Sequence, residues 1–208
     1  MNAPAGVSAF VLAGGESSRM GRDKALLVLP TGETLLDRAL QTAKMVADTV
    51  TLVAGDARYS EMVDVPVVRD IYPGCGPLAG IHAALSASAS ELNLVLGVDC
   101  PLVTPELLRF LVRIAAGTDK LATVPRVAGH LHNVCAVYRR EFVEIAGRVL
   151  AASGGGKRHG TRIDCLFSEA PCRIVEEGEL GDAGFGAELF ANVNTPADFA
   201  ALRLRMRP

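Results

Sequence analysis

The chain of 208 residues is half hydrophobic and only 5% aromatic, with no Trp, which excludes a disordered or collagen-like polymer and fits one domain with a buried core. Its 21 Lys and Arg oppose 23 Asp and Glu for a net charge of -2, so no global field draws in a polyanion, and seven Phe and three Tyr are too few for a base-stacking platform. A small anionic ligand held by a few local cations remains open, with backbone approaching it at some of the 21 glycines.

A continuous apolar run over residues 8–12 predicts a parallel strand buried on both faces. Beyond a Gly-rich loop, Leu35, Leu36, Ala39, Leu40 and Ala43 recur at helical spacing. Strands are predicted at 50–54 and 65–68, then an Ala-rich helix that includes 81–85, then a buried strand at 92–98. Thr104-Pro105-Glu106 reads as an N-cap, a proline at the first helical position and an acidic first turn, opening a helix that carries Leu107, Leu108, Leu111, Val112 and Ala115. Further strands are predicted at 121–124 and 133–138, a helix at 141–152 and a strand at 190–193. Thr195-Pro196-Ala197-Asp198 has capping-box form and starts a last helix. This alternation indicates an α/β protein with a mostly parallel sheet and right-handed crossovers, whose ligands bind at the carboxyl ends of the strands. The stretch 153–160, with three consecutive glycines, reads as a loop inside one domain spanning 1–208.

No apolar stretch approaches the roughly 20 residues that span a bilayer, and the N-terminus lacks the basic start of a signal peptide, so neither a membrane partner nor export is expected. Cys75, Cys100, Cys135, Cys165 and Cys172 are odd in number and form no C-x-x-C pair, which points to reduced thiols in the cytoplasm. Neither they nor His82, His130, His132 and His159 show zinc-ligand spacing.

Chemistry concentrates in 12–24, Leu12-Ala13-Gly14-Gly15 through Arg19 to Asp23-Lys24, directly after the first strand. Gly14 and Gly15 would let N–H groups face phosphate oxygens without Cβ obstruction, and Arg19 and Lys24 add two cations. No Gly-Lys-Ser/Thr closes the loop, so it is not a P-loop, and a misplaced third Gly excludes the dinucleotide fingerprint. An ordinary βα turn with exposed basic residues is the alternative for the Gly pair alone.

The segment resembles the signature of pyrophosphorylase-type nucleotidyltransferases, and in detail that of the molybdenum cofactor guanylyltransferases, the MobA family. Three later stretches match in the same order: Asp70 followed by Gly76-Pro77-Leu78-Ala79-Gly80-Ile81, then Asp99-Cys100-Pro101, then Asn192-Val193-Asn194-Thr195-Pro196. Together they extend from Val7 to about Leu202. The resemblance implies a three-layer, Rossmann-like, mostly parallel sheet of nucleotide-diphospho-sugar transferase type. It implies transfer of GMP from GTP to the phosphate of Mo-molybdopterin, with Mg²⁺ as cofactor and without nucleic acid. Transient contact with molybdoenzymes or their chaperones belongs to the same expectation.

Residue by residue, the resemblance implies catalytic roles for Lys24, Arg19 and Asp99, with Asp99 as the metal ligand. GTP would meet Leu12, Ala13, Gly14, Gly15, Lys24, Asp70, Gly80 and Asp99, and the acceptor would meet Arg158, Asn192 and Asn194. Physical reasoning stands beside these roles. Asp99 ends a hydrophobic strand, where an ionised carboxylate needs a partner or cation, or else caps the following turn. Asp70 could accept from a ribose hydroxyl or base N–H groups, or stand as a solvated loop acid. Asn192 and Asn194 read as turn residues or as amides facing the second substrate. Lys157, Arg158 and Arg162 follow the glycine run and suit either a solvated basic loop or closure over an anionic pterin. Two departures stand out: Asn133 replaces the usual Pro, and Ala54-Gly55 stands where guanylyltransferases can place an Asn near the guanine. A cytidylyltransferase using CTP, or a binding-only protein of the same fold, are the alternatives; Gly14-Gly15 and Asp23-Lys24 favour GTP and turnover.

Overall fold

The structure is a computed structural model that describes residues 6–14, 23–72, 74–152 and 170–206. Its centre is β1 (Val7–Ala13), which pairs in parallel with β2 (Thr49–Ala54) on one side and β4 (Leu92–Gly97) on the other. β3 (Val67–Val68) extends the β2 side, also in parallel. Beyond β4 lie β7 (Cys135–Arg139), β5 (Ala122–Val127) and β6 (His130–Leu131), with β8 (Cys172–Glu176) on β5. β7 runs antiparallel to both β4 and β5, whereas β8 is parallel to β5. The sheet is therefore mixed, with a parallel half that carries the ends of β1 and β4 side by side.

Alternation along β1 explains why its residues form an interior strand. Val7, Ala9, Val11 and Ala13 face one core, with Phe10 and Leu12 in the other. The first core is covered by α1 (Leu35–Lys44) and α3 (Pro105–Ala116), the second by α2 (Pro77–Ala87) and α4 (Phe142–Ala152). Helices on both faces bury strands on both sides, which is why β1 and β4 are apolar along almost their whole length, with Ser8 and Asn93 as the polar exceptions. The three layers expected from the sequence are present. A third cluster of Leu27, Leu29, Leu35, Val193 and Leu202 seats the final helix, α6 (Pro196–Arg205), which comes after the short α5 (Glu177–Asp182), against the segment that follows Lys24.

The predicted capping signals act as expected. Thr104 Oγ1 accepts from Leu107 N–H at 3.3 Å, and Thr195 and Asp198 exchange both bonds of a capping box. Two expectations are corrected. Residues 190–193 do not form a strand: a 3-10 turn spans Ala187–Phe190, and the chain then runs on irregularly to Thr195. Phe190 and Val193 serve different clusters, Phe190 in the first core and Val193 in the third, so their spacing carries no sheet period. The second is β8, which was not predicted; charged Arg173 and Glu176 flank only two apolar positions, and its pairing with β5 defines it. The predicted strand at 133–138 begins at Cys135, and that at 65–68 contracts to Val67–Val68.

The late start of β7 has a cause. β5 and β6 form a tight hairpin through Ala128 and Gly129, both at positive φ (48° and 77°), the backbone of a type I′ turn. The return strand then slips by three residues between its pairing as β6 and as β7, leaving His132, Asn133 and Val134 as a bulge. The bulge lies at the end of β4, where Val134 O accepts from Gly97 N–H at 2.6 Å.

Asn93 is the polar group on which β4 most depends. Fully buried, it donates to Ser90 O at 3.1 Å and Tyr138 O at 3.3 Å and accepts from the Ser88 hydroxyl at the end of α2. Asn93→Ala would leave these partners unpaired and is expected to cost about 2 kcal/mol of stability, read from the urea midpoint. A midpoint unchanged within error would show that the network contributes nothing.

Candidate active site

The strand order reverses between β1 and β4, so no crossover covers the crevice beyond their carboxyl ends. Leu12 pairs with Gly97, and Val98 N–H donates to Leu12 O at 3.2 Å, which brings the end of β1 against the start of the segment after β4. Ala13 ends β1 and Gly14 is exposed just beyond it. Lys24 begins a 3-10 turn, Lys24–Leu26, capped by Asp23, whose Oδ1 accepts from Ala25 N–H at 3.0 Å.

From that turn the Lys24 ammonium reaches Asp99 Oδ2 at 3.0 Å and Asn194 Oδ1 at 3.3 Å. The side chains of Lys24 and Asp99 are 19% and 22% exposed, so the pair sits at the crevice rim, open to a ligand. Asn192 joins through Cys100, whose thiol donates to Asn192 Oδ1 at 3.2 Å. Burial pushes the Cys100 thiol well up, and the neighbouring Asp99 carboxylate adds to the shift, which keeps it a protonated donor. Val193 N–H donates to Asp99 O at 2.9 Å, tying the asparagine segment to the end of β4. Asp198 then accepts from Asn194 N–H at 2.9 Å and Thr195 N–H at 2.8 Å, which holds its carboxyl below the usual range and completes the start of α6.

The structure thus gathers Leu12, Lys24, Asp99, Asn192 and Asn194, with Ala13 and Gly14 at the strand end. Asp70 lies apart, just after β3, accepting from Tyr72 N–H at 2.7 Å in a tight turn. Gly76, at φ 71° and ψ -162°, occupies a backbone region reserved for glycine and opens α2 ahead of Pro77. At Gly80 a Cβ would lie 3.2 Å from Leu12 Cδ1, so this glycine lets α2 close onto the end of β1. Arg19, Gly15 and Arg158 fall outside the described residues.

Two participants were not found by sequence reasoning. At Gly97 a Cβ would stand 2.5 Å from Asp99 Oδ1 and 2.9 Å from Val134 Cγ2, so the missing side chain makes room for the carboxylate. A glycine closing an apolar strand was the available signal. His132, in the bulge, packs on Phe190 with ring centroids 4.8 Å apart. Burial, with His130 acting the same way, lowers its pKa, against the upward pull of the Asp99 carboxylate. Among the described residues no group of three His, Cys, Asp or Glu converges as a ready-made metal cage. Asp99 instead offers one carboxylate, against which a cation, the Lys24 ammonium, already rests.

Comparison with known proteins follows the same outline. Residues 9–163 match the family model of the MobA-like NTP transferase domain. A probable molybdenum cofactor guanylyltransferase of Carboxydothermus hydrogenoformans is 33% identical over 192 residues, 92% of each chain. The crystal structure of molybdopterin-guanine dinucleotide biosynthesis protein A from Archaeoglobus fulgidus superposes with a TM-score of 0.81 at 22% identity, covering 95% of this chain and 97% of that one. A Mycobacterium tuberculosis protein solved in complex with manganese superposes at 0.65 with 21% identity, over 97% of this chain and all of its own.

Gly97→Ala tests the geometry at Asp99. The added methyl must displace the carboxylate or Val134, and nucleoside triphosphate affinity by calorimetry is expected to fall about tenfold. Stability should fall by only about 1–3 kcal/mol, as for other overpacked sites.

Proposed function

The chain belongs to the MobA-like NTP transferase family, and from that premise we propose that it transfers GMP from GTP to the phosphate of Mo-molybdopterin. The products are pyrophosphate and molybdopterin guanine dinucleotide. The observation that carries this reading is the meeting of Lys24 and Asp99, 3.0 Å apart, at the crevice between β1 and β4. One cation and one carboxylate at a strand-order reversal suit a phosphate ligand and the metal that accompanies it.

In the reaction an oxygen of the acceptor phosphate attacks the α-phosphorus in line. The new P–O bond forms as the bond to the β-phosphate oxygen breaks, and pyrophosphate leaves with that electron pair. The attacking oxygen is anionic at neutral pH, so no general base is needed. Catalysis then consists of positioning and charge stabilisation. Lys24 neutralises charge on the triphosphate and on the departing pyrophosphate, with Arg19 assigned the same task from the sequence. The end of β1 and the residues that follow it, Leu12 to Gly15, seat the nucleotide, and Asp70 with Gly76 and the first turn of α2 up to Gly80 receives its nucleoside. Asn192 and Asn194, their carbonyl oxygens engaged by Cys100 and Lys24, turn their amide N–H groups to the acceptor, which Arg158 also meets.

A divalent ion fits Asp99 as one carboxylate ligand completed by substrate phosphates, the usual habit of Mg²⁺. Such an ion, when bound and held by Asp99, would supply charge stabilisation for the transferring phosphoryl group. We place the reaction in the cytoplasm, within one nucleotidyltransferase domain. Among the described residues Cys75, Cys100, Cys135 and Cys172 are free thiols, which suits a reducing compartment. No helix among the described residues is long and apolar enough to cross a membrane.

Purified protein with Mg²⁺, molybdopterin and each nucleoside triphosphate in turn is expected to release pyrophosphate with GTP. Release with CTP but not GTP would overturn the guanylyl assignment. Asp99→Asn is expected to lower turnover by about 10²–10³ with a modest loss of GTP affinity, as for other groups that stabilise transition-state charge. Turnover at the parent rate in that variant would remove Asp99 from the metal site.

A further inference from the structure

Between β2 and β3 the chain makes a 3-10 turn over Ala57–Glu61, capped by Asp56, whose Oδ1 accepts from Arg58 N–H at 3.0 Å. Tyr59 in this turn is buried in the core shared by α1 and α3, yet its hydroxyl emerges to donate to Asp23 Oδ2 at 2.7 Å. Arg58 pairs with the same carboxylate oxygen and, through Nε, with Asp56 Oδ2 at 3.1 Å. Asp23 Oδ1 is taken by Ala25 N–H. One carboxylate therefore receives three donors, two from a turn more than 30 positions later, immediately before the lysine that reaches Asp99.

We propose that Tyr59 and Arg58 are positioning residues that set the Lys24 ammonium against Asp99 by gripping Asp23. The geometry transmits in one direction: the core holds the Tyr59 ring, the hydroxyl holds Asp23, and Asp23 caps the turn from which Lys24 projects. Asp23 and Arg58 also border an open groove of about 470 Å³, lined besides by Leu26, Val28, Phe199 and Arg203. Burial, reinforced by the Asp23 carboxylate, raises the Tyr59 pKa, so the hydroxyl stays a donor throughout the neutral range. Arg58 is 48% exposed, and solvent screens its share. Tyr59 therefore carries more of the effect.

The consequence for turnover rests on the guanylyltransferase reading, whereas the consequence for Lys24 itself does not. The sequence contains four lysines, so full-length protein labelled with [ε-¹³C]lysine gives a spectrum in which Lys24 is assigned by its loss in Lys24→Arg. In Tyr59→Phe the Lys24 resonance is expected to move toward those of exposed lysines. Arg58→Gln, at an exposed position that leaves the core intact, should move it the same way by less. In pyrophosphate release, Tyr59→Phe is expected to lower kcat about tenfold with a smaller rise in KM for GTP, because Lys24 meets both the bound triphosphate and the departing pyrophosphate. In a Lys24→Ala background the same substitution should cost nothing further. A Lys24 resonance that stays in place in both variants, or an equal loss of turnover with and without Lys24, overturns the proposal. If the parent protein releases no pyrophosphate from GTP, the guanylyltransferase reading fails and the resonance alone decides whether Tyr59 positions Lys24.

Discussion

The parallel pairing of β1 with β4 is the constraint on which the rest of the site depends. It sets Leu12 beside Gly97, so two loops far apart in the chain leave the sheet at one place. Because the strand order reverses there, the crevice stays open while helices cover both faces below it. Asp99 emerges into that crevice with a charge that the apolar strand beneath cannot solvate, and Lys24 answers it at 3.0 Å. At about one-fifth exposure on each side, such a pair adds little to stability. Its value lies in holding a carboxylate and a cation in fixed relative orientation at the mouth of the crevice.

Backbone contacts do much of the positioning. Val134 O meets Gly97 N–H, Val98 N–H meets Leu12 O, and Val193 N–H meets Asp99 O, so three separate segments lock onto the end of β4. Each is anchored in turn by apolar packing: the bulge by the antiparallel half of the sheet, the asparagine segment by Phe190 in the first core and Val193 in the third. A site held in this way needs few polar residues of its own, since the supporting elements are rigid. The near-neutral net charge of -2 follows the same logic, because a small polyanion handled by placed cations does not call for a basic surface.

The glycines divide by physical task. Gly97 is absent side chain as space, keeping 2.5 Å clear for a carboxylate oxygen. Gly80 is close approach, letting α2 settle on Leu12. Gly76 is backbone freedom, at a φ of 71° that bends the chain into α2. The resemblance at 76–80 implies nucleotide contact, and the packing at Gly80 adds that this first turn of α2 lies directly against Leu12 at the end of β1.

Local chemistry in the sequence carried the layered α/β arrangement and most of its elements: the largely apolar runs of β1 and β4, and the Thr104-Pro105 and Thr195–Asp198 caps of α3 and α6. These signals act within a few residues, which is why they survive without knowledge of the fold. The motif residues Lys24, Asp99, Asn192 and Asn194 were singled out through the resemblance of the stretches that contain them. Their meeting was not legible: Lys24 and Asn194 stand 170 positions apart, and only the sheet register and the third apolar cluster bring them to 3.3 Å. β8 exists because β5 offers it an edge, the bulge at 132–134 because two pairings of one return strand are out of step, and the grip of Tyr59 on Asp23 because a core fixes the ring. Each of these is a long-range contact whose energy is gained only once the chain has folded, so no window of sequence contains it.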